Sequence, residues 1–294
     1  MQPGAALLAT MVIATCGLEP AAAPSRPAPD PAPAPAAPAP TEAATTCALP
    51  AGEHARTIDV GGTEREYLLH VGGTLAAPPA VVFAWHGFGS KAEFSRAAMK
   101  APELWDDAIV VAPRGLPRTF EQFGDTPRDG WQIAKGDLED RDLAFFDAIV
   151  GSLTAEGCLD ASRVYTTGFS NGGFFSNVLA CHRGEVIAAA APAGGGGPFT
   201  LPCGPKVPVL ITHGRVDEVV PYPSALKSFA HWSAHNGCGD DSAPPEDGCA
   251  AATGCPDTAA VRMCSENLGH RWPEGQAERT AEFLRRFVQD TPGA

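Results

Sequence analysis

The chain is short of basic residues. It contains 21 lysines and arginines against 34 aspartates and glutamates in 294 residues, which gives a formal net charge of −13. Because affinity for nucleic acid depends on neutralising phosphates with Lys and Arg, this composition excludes nucleic acid as a partner. The negative charge indicates solubility and identifies no substrate.

An apolar run long enough to cross a membrane is also missing at the N-terminus. The run ALLATMVIATCG has instead the length of a signal-peptide core. It ends in a stretch similar to a bacterial lipoprotein box, which predicts residues 1–16 as a signal peptide with lipidation at Cys16. Conventional cleavage near Ala21–Ala23 is the open alternative. The protein is therefore expected to be exported, as an outer-membrane or cell-surface lipoprotein or as a secreted extracellular protein, with membrane attachment through an N-terminal lipid only.

Residues 17–46 lack any pattern of regular secondary structure. They are dominated by proline and alanine, as in PAAAPSRPAPDPAPAPAAPAP. Repeated proline supports neither helix nor sheet, so this segment is predicted to be a disordered, extended linker. The remaining residues, 47–294, are predicted to form one catalytic domain.

Metal-ligand spacing is absent among the cysteines. Cys249 and Cys255 have five residues between them, and no histidine pair lies nearby at ligand spacing. With Cys16 set aside, eight of the nine cysteines remain, an even number that indicates up to four disulfides in an oxidising compartment. These eight are Cys47, Cys158, Cys181, Cys203, Cys238, Cys249, Cys255 and Cys264. No metal or other cofactor is expected.

What the chain does have is a regular alternation of strand and helix patterns. The continuous apolar runs AVVFAW, DAIVVA and VPVLITHG are typical of strands buried on both faces of a parallel sheet. ARTIDV and EREYLLHV predict an antiparallel hairpin before them, and AAVRMC predicts the last strand. Helices are predicted over residues 95–107, 138–156, 224–237 and 277–290. The fold class is therefore α/β, with a doubly wound, mostly parallel sheet and helices on both faces. Residues 115–137 lack periodicity and are expected to form an active-site loop.

Residues 168–172 read Gly-Phe-Ser-Asn-Gly and fit the pattern G-x-S-x-G. They lie between the strand RVYTT and an apolar helix, where glycines allow a serine to take strained backbone angles on a sharp turn. The context predicts that Ser170 is a nucleophile. A serine helix cap beside turn glycines is the alternative interpretation.

A nucleophilic serine needs a base and an acid, and in hydrolases with this turn both follow it in the order acid, then histidine. Asp217 lies just after a buried strand and is better placed than its neighbour Glu218. His270 lies in a glycine-flanked loop between the last strand and the closing helix. His270 is predicted to accept the Ser170 proton, and Asp217 to hold the tautomer of His270.

An oxyanion hole is predicted after the strand FAW. The His86-Gly87 turn there supplies backbone donors, and we assign the N–H groups of Phe88 and Asn171 as the pair. A simple His-Gly turn without that role is the alternative. The side chain of His86 is expected to be structural, and that of Asn171 is expected to matter little.

Six segments together carry a resemblance to a known family: WHGFGS, DGWQ, DLAFFDAIV, CLDASRVYTTGFSNGG, HGRVDEVVPY and GHRWP. The chain resembles secreted bacterial esterases related to polyhydroxybutyrate depolymerases and feruloyl esterases, the carbohydrate-esterase-1-like branch of the α/β-hydrolase fold. The resemblance implies a disulfide-stabilised α/β-hydrolase fold, the triad Ser170, Asp217 and His270, and the oxyanion hole named above. It also implies a bond between Cys238 and Cys255.

The resulting hypothesis is a serine carboxylesterase for feruloyl- or acetyl-type esters or short polyhydroxyalkanoate esters. Its partner would be a small ester, or a polysaccharide or polyester that carries one. The alternatives are a serine peptidase of the prolyl-oligopeptidase kind and a tethered binding protein without catalysis. The expected substrate-binding side chains are Trp272, Trp131, Phe88 and Trp85. Trp272 is the strongest candidate for a pocket wall, and core packing remains open for Trp85.

Overall fold

The structure is a computed structural model that describes residues 46–289. The signal peptide, Cys16 and all but the last residue of the linker lie outside the described residues. Eleven strands are present: β1 (Gly52–Val60), β2 (Thr63–Val71), β3 (Ala80–Trp85), β4 (Ala108–Pro113), β5 (Leu116–Arg118), β6 (Arg128–Gly130), β7 (Val164–Phe169), β8 (Ala189–Ala193), β9 (Val209–Gly214), β10 (Gly248–Ala251) and β11 (Val261–Glu266).

Nine of these strands form one sheet in the order β1-β2-β4-β3-β7-β8-β9-β11-β10. The six strands from β4 to β11 run parallel, while β1, β2 and β10 are antiparallel at the two edges. The parallel strands β3, β4 and β9 are buried along their whole length, which is why their sequences read as continuous apolar runs. The predicted sheet is confirmed.

Six helices cover the two faces of the sheet: α1 (Ala92–Ala98), α2 (Ala101–Leu104), α3 (Arg141–Ala155), α4 (Asn171–His182), α5 (Pro223–Asn236) and α6 (Gln276–Leu284). Apolar residues of α3, α4 and α5 join one core cluster, and those of α2 and α6, with Met99 at the end of α1, join the other. The doubly wound arrangement is therefore confirmed. Within residues 46–289, no helix has both the length and the apolar character that crossing a bilayer requires.

Two predicted helices are wrong in their extent. The helix expected over 95–107 is broken, because Lys100 takes a left-handed conformation with φ 47° and a new short helix begins at Ala101, with Pro102 in its first turn. The helix expected from residue 138 begins at Arg141, since Leu138, Glu139 and Asp140 all have positive φ. Tertiary contacts of the preceding loop override the apolar periodicity there.

Two strand pairs were not predicted. The loop of residues 114–140 contains the small antiparallel pair β5–β6, whose three-residue strands are too short to show alternation. β10 pairs with β11 and is mostly exposed, so its sequence GCAA has no apolar pattern.

Four disulfide bonds use all eight cysteines of the described part. They are Cys47–Cys158, Cys181–Cys203, Cys238–Cys255 and Cys249–Cys264. Cys238–Cys255 is the bond that the resemblance implied, and the sequence left the other three pairings open. Cys249 and Cys264 face each other across β10 and β11, directly before the loop that carries His270.

Candidate active site

Ser170 lies on a tight turn between the end of β7 and the start of α4. Its backbone angles are φ 56° and ψ −120°, a conformation that costs energy for any residue with a side chain. The neighbouring glycines permit the turn, because a Cβ on Gly172 would lie 2.1 Å from the Trp85 carbonyl oxygen and one on Gly168 would lie 2.5 Å from the Gly172 oxygen. The serine therefore sits on a strained strand-to-helix turn, which an ordinary helix cap does not require.

The structure brings the three predicted side chains together. His270 Nε2 lies 2.8 Å from Ser170 Oγ, and His270 Nδ1 lies 2.7 Å from Asp217 Oδ2. The Asp217 carboxylate accepts a hydrogen bond from the Nδ1–H group, which leaves Nε2 free to accept the Ser170 proton. This chain of hydrogen bonds is the arrangement in which a serine hydroxyl becomes a nucleophile.

Asp217 is buried and fully oriented. Its Oδ1 accepts hydrogen bonds from the backbone N–H groups of Val219 and Val220, at 2.9 and 2.8 Å, and its Oδ2 faces His270. His213 Nε2 donates to the Val220 carbonyl oxygen at 2.8 Å, and burial lowers the pKa of His213. His213 therefore supports the backbone segment whose N–H groups hold Asp217.

The loops that carry Asp217 and His270 are bonded to each other. The N–H of Arg215 donates to the Glu266 carbonyl oxygen at 2.8 Å, and that of Val216 donates to Leu268 at 3.3 Å. Both loops therefore continue the pairing of β9 and β11 beyond the end of the sheet. Their relative position is a consequence of strand register.

Phe88 and Asn171, the residues predicted to supply the oxyanion donors, line the same cleft as Ser170. In the described part of the chain, the Phe88 N–H makes no hydrogen bond to protein. Asn171 is the first residue of α4, so its N–H has no acceptor within the helix. Neither N–H group is therefore occupied by an acceptor of the described residues, which keeps both as candidates for the oxyanion hole.

The side chain of Asn171 has a role that the sequence did not indicate. It is 3 % exposed, its Oδ1 accepts the Trp131 N–H at 2.7 Å, and its Nδ2 donates to the Trp131 carbonyl oxygen at 2.9 Å. Trp131 Nε1 in turn donates to the His86 carbonyl oxygen at 2.9 Å. The expectation that this side chain matters little is wrong, because it ties loop 114–140 to both predicted oxyanion turns.

The His86 side chain also ties loop 114–140 to the turn after β3. Its Nδ1 donates to the Gly87 carbonyl oxygen at 2.8 Å, and its Nε2 accepts the Gly115 N–H at 3.0 Å. Burial lowers the pKa of His86, and protonation of Nε2 would replace the Gly115 hydrogen bond by a clash of two donors. The side chain is therefore structural.

A buried ion pair anchors the far end of loop 114–140. The Arg65 guanidinium donates to Asp142 Oδ1 at 3.0 Å, and the Gln132 N–H donates to Asp142 Oδ2 at 2.8 Å. Both charged side chains are almost completely buried. The pair thus fixes Gln132, which directly follows Trp131.

Two of the four predicted substrate-binding residues are placed elsewhere. The indoles of Trp85 and Trp131 are fully buried and pack on each other and on Phe175 in the core cluster of α3 to α5. Neither indole reaches the cleft, so the assignment of Trp131 to a substrate pocket is wrong. For Trp85 the core-packing alternative describes the indole, although the residue also borders a second pocket beside α1. Phe88 lines the cleft, and Trp272 lies on the other side of Phe169, with the two rings edge to face.

The cleft above Ser170 has a volume of about 230 Å³. Aromatic rings of Phe88, Phe120 and Phe123 pack together on its wall, with centroids 5.0 to 6.4 Å apart. Val219 and Val220 of the Asp217 loop line the cleft too, with polar groups from Gln122 and Ser224. An apolar cleft with a few polar groups is the usual form of a small-molecule site.

The fold is that of the α/β-hydrolases. It has their sheet order, a serine turn at the end of β7, and loops after β9 and β11 that carry the acid and the histidine. Solved structures agree: an acetyl xylan esterase from Aspergillus awamori matches with a TM-score of 0.60 at 16 % identity, covering 79 % of this chain and 99 % of its own. The carboxylesterase of Bacillus cereus matches with a TM-score of 0.55 at 18 % identity, covering 76 % and 94 %. At these identities the likeness establishes the fold.

Relatives by sequence are feruloyl esterases, which confirms the resemblance to that group. Feruloyl esterase B of Piromyces equi is 26 % identical over 227 residues, which are 68 % of this chain and 40 % of the relative. A probable feruloyl esterase C of Aspergillus niger is 31 % identical over 157 residues, which are 52 % of this chain and 47 % of the relative. The chain thus spans less than half the length of these two curated relatives. No family model matches it.

Proposed function

We propose that this protein is a serine carboxylesterase that works through an acyl-enzyme on Ser170. The observation that carries the proposal is the hydrogen-bonded chain from Asp217 through His270 to Ser170, with the serine on a strained turn. The names of the relatives and of the structural neighbours, feruloyl esterase and acetyl xylan esterase, support the ester bond as the target.

In the proposed reaction, Ser170 Oγ attacks the ester carbonyl carbon while His270 Nε2 takes the serine proton. The N–H groups of Phe88 and Asn171 bind the oxygen that becomes negatively charged. His270 then protonates the leaving alcohol, which leaves the acyl group on Ser170. Water activated by His270 attacks this ester, the acid departs, and Ser170 regains its proton.

We propose feruloyl- or acetyl-type esters of plant polysaccharide as the substrate class. Similarity to feruloyl esterases in sequence and to an acetyl xylan esterase in structure supports this choice over polyesters. Short polyhydroxyalkanoate esters are the second candidate and enter the same assay. Nothing in the cleft favours the peptidase over an esterase.

The test compares turnover of methyl ferulate, aryl acetates and hydroxybutyrate oligomers by the wild type and by Ser170→Ala. We expect the variant to lose at least about a thousandfold in kcat, because no other group would supply the nucleophile. Ser162→Ala, at the opposite end of β7, is the matched control and should keep wild-type rates. Equal ester turnover by wild type and Ser170→Ala would refute the proposal.

A fluorophosphonate separates the two rival functions. Labelling of Ser170 with peptide cleavage but without ester turnover would favour the serine peptidase. Failure to label Ser170 in folded protein would favour the binding protein. We expect labelling together with ester turnover, both abolished in Ser170→Ala.

We further propose that the protein is exported. Four disulfide bonds in the described part of the chain support an oxidising compartment. The signal sequence supports the same destination, with lipidation at Cys16. Mass spectrometry of the mature N-terminus tests this: a lipid-modified Cys16 is expected, and an unmodified N-terminus near Ala23 would leave a secreted, unanchored protein.

A further inference from the structure

The segment after β8 carries an exposed aromatic side chain beside the cleft. From the end of β8 the chain runs through four glycines, residues 194–197, to Phe199. Phe199 is 58 % exposed, and Leu201 is 59 % exposed. The ring of Phe199 packs on that of Phe174, with centroids 5.7 Å apart and an angle of 28° between the planes. We call Phe174 and Phe199 together the aromatic ledge.

The aromatic ledge is continuous with the cleft above Ser170. Phe174 lines that cleft together with Ser170, and its N–H donates to the Ser170 carbonyl oxygen at 3.0 Å. Phe199 is not among the residues that line the cleft and lies outside it, against the ring of Phe174. A ligand that extends out of the cleft past Phe174 therefore contacts Phe199 next.

Hydrogen bonds hold the segment in place on both sides of Phe199. Before it, the Gly196 carbonyl oxygen accepts a hydrogen bond from Asn177 Nδ2 at 3.1 Å. After it, Thr200 Oγ1 accepts a hydrogen bond from the N–H of Lys135, in loop 114–140, at 3.1 Å. The position of the exposed ring is thus fixed before any ligand binds, and a preformed surface costs little ordering when it binds a ligand.

The substrate class proposed above is larger than the cleft. The cleft has a volume of about 230 Å³, which accommodates the ester group and a small part of the molecule around it. A polysaccharide chain does not fit into this volume, so its sugar residues must lie on the rim. One face of a sugar ring carries C–H groups, and this face leaves water when it packs on an aromatic ring.

We propose that the aromatic ledge binds a sugar residue of the polysaccharide whose ester bond is held at Ser170. The inference rests on the proposed function for the position of the ester bond, and it assigns the part of the substrate that lies outside the cleft. Phe199 then determines specificity, because it contacts the sugar and not the reacting atoms. Such a contact is the same in the ground state and the transition state, so it lowers KM without raising kcat.

The experiment compares esters that share an acyl group and differ in the alcohol. One pair is methyl ferulate and a feruloylated arabinoxylan oligosaccharide; the other is methyl acetate and an acetylated xylan oligosaccharide. Phe199→Ala removes the exposed ring, and Phe199→Trp keeps an aromatic surface. Phe94→Ala is the matched control, because Phe94 is 68 % exposed on α1 and is not among the residues that line the cleft.

We expect Phe199→Ala to lower kcat/KM about tenfold for the oligosaccharide ester, through a higher KM, and to stay within about twofold of the wild type for the methyl ester of the same pair. Phe199→Trp and Phe94→Ala should leave the ratio of the two kcat/KM values within about twofold of the wild type. Equal losses for both members of a pair in Phe199→Ala, or no loss for the oligosaccharide ester, would overturn the proposal.

Binding to an inactive protein keeps this result separate from the esterase proposal. In a Ser170→Ala background, calorimetry should show that Phe199→Ala weakens binding of the oligosaccharide ester about tenfold and changes that of the methyl ester by less than about twofold. If no ester is turned over but this difference is found, the proposed function fails and the ledge proposal is retained. If esters are turned over and binding is unchanged in folded Phe199→Ala, the ledge proposal is refuted alone. If Phe199→Ala does not fold, Phe199→Leu, which keeps an apolar side chain without a ring, takes its place.

Discussion

The two regions that flank Ser170 are held by different kinds of bond. The His270 side follows β11, which is cross-linked to β10 by Cys249–Cys264, with Cys238–Cys255 close by in the chain. Loop 114–140, which carries Trp131 over the predicted oxyanion turns, contains no cysteine. It is held by the Arg65–Asp142 ion pair and by buried hydrogen bonds to Gln132 and Asn171.

This difference has an energetic meaning. A disulfide bond acts mainly by restricting the unfolded chain, so its loss lowers stability without leaving an unsatisfied group in the folded protein. A buried polar network depends on every member, because removing one partner leaves a charge or a donor unpaired in a low-dielectric region. The hydrogen-bonded side is therefore expected to be the more fragile one.

The largest effect is expected from Asp142→Ala, which removes the only carboxylate paired with the buried Arg65 guanidinium in the described residues and the acceptor of the Gln132 N–H. The free energy of unfolding should fall by about 3–5 kcal/mol, measured by denaturant unfolding. Asp147→Ala on the same helix removes a surface pair with Arg183 and should cost at most about 1 kcal/mol. Similar losses in the two variants would contradict the assigned role of the network.

The next effect concerns the cross-linked side. Replacing Cys249 and Cys264 together by alanine opens a loop of 15 residues and should cost about 3 kcal/mol. Ester turnover should also fall at temperatures below unfolding, because β10 and the His270 loop lose their tie. As the control, the double replacement of Cys47 and Cys158 opens a loop of 111 residues, so stability should fall at least as much. That bond lies at the opposite end of β7, and turnover by the folded control should be unchanged.

Asn171→Ala is expected to lower the free energy of unfolding less than Asp142→Ala does, and to lower kcat as well. It leaves the buried Trp131 N–H unpaired, which costs about 1–3 kcal/mol, while the Trp131 carbonyl oxygen keeps its hydrogen bond from Arg118. The kcat of the folded variant should fall by between about tenfold and a hundredfold, because Trp131 no longer positions the oxyanion turns. Asn177→Ala, on the same helix, also removes buried hydrogen bonds and should lower stability without a matching loss of kcat. Equal kcat losses would show that Asn171 acts only on stability.

The smallest expected effect is the response to acid. Burial lowers the pKa values of His86 and His213 below the ordinary 6.5, so at pH 5 to 6.5 the unfolded chain binds protons more readily than the folded one. The free energy of unfolding should therefore decrease as the pH falls below about 6.5. Between about pH 7.5 and 9 both histidines are neutral in the folded and the unfolded chain, so their contribution to it should not change. Denaturant unfolding across this range is the measurement, and His213→Asn should reduce the slope. An unchanged slope in that variant would contradict the assignment.

Most of the fold was predictable because its signals are local. Continuous apolar runs identified β3, β4 and β9, and the change from strand to helix pattern around Ser170 located the turn. β5, β6 and β10 were missed because strands of three or four residues carry no period. The break at Lys100 and the positive φ values at 138–140 were missed because tertiary contacts, not propensity, decide them.

The sequence by itself determined the order of serine, acid and histidine along the chain and their positions after buried strands. The carboxyl ends of parallel strands lie at the same edge of the sheet, so chain order and spacing are enough to predict that these residues lie near one another. Only the tertiary structure decided that Trp85 and Trp131 pack in the core, that the Asn171 side chain holds loop 114–140, and that a second pocket lies beside α1. These outcomes depend on contacts between segments 40 or more residues apart, such as Asn171 with Trp131, and no local pattern of residues encodes such contacts.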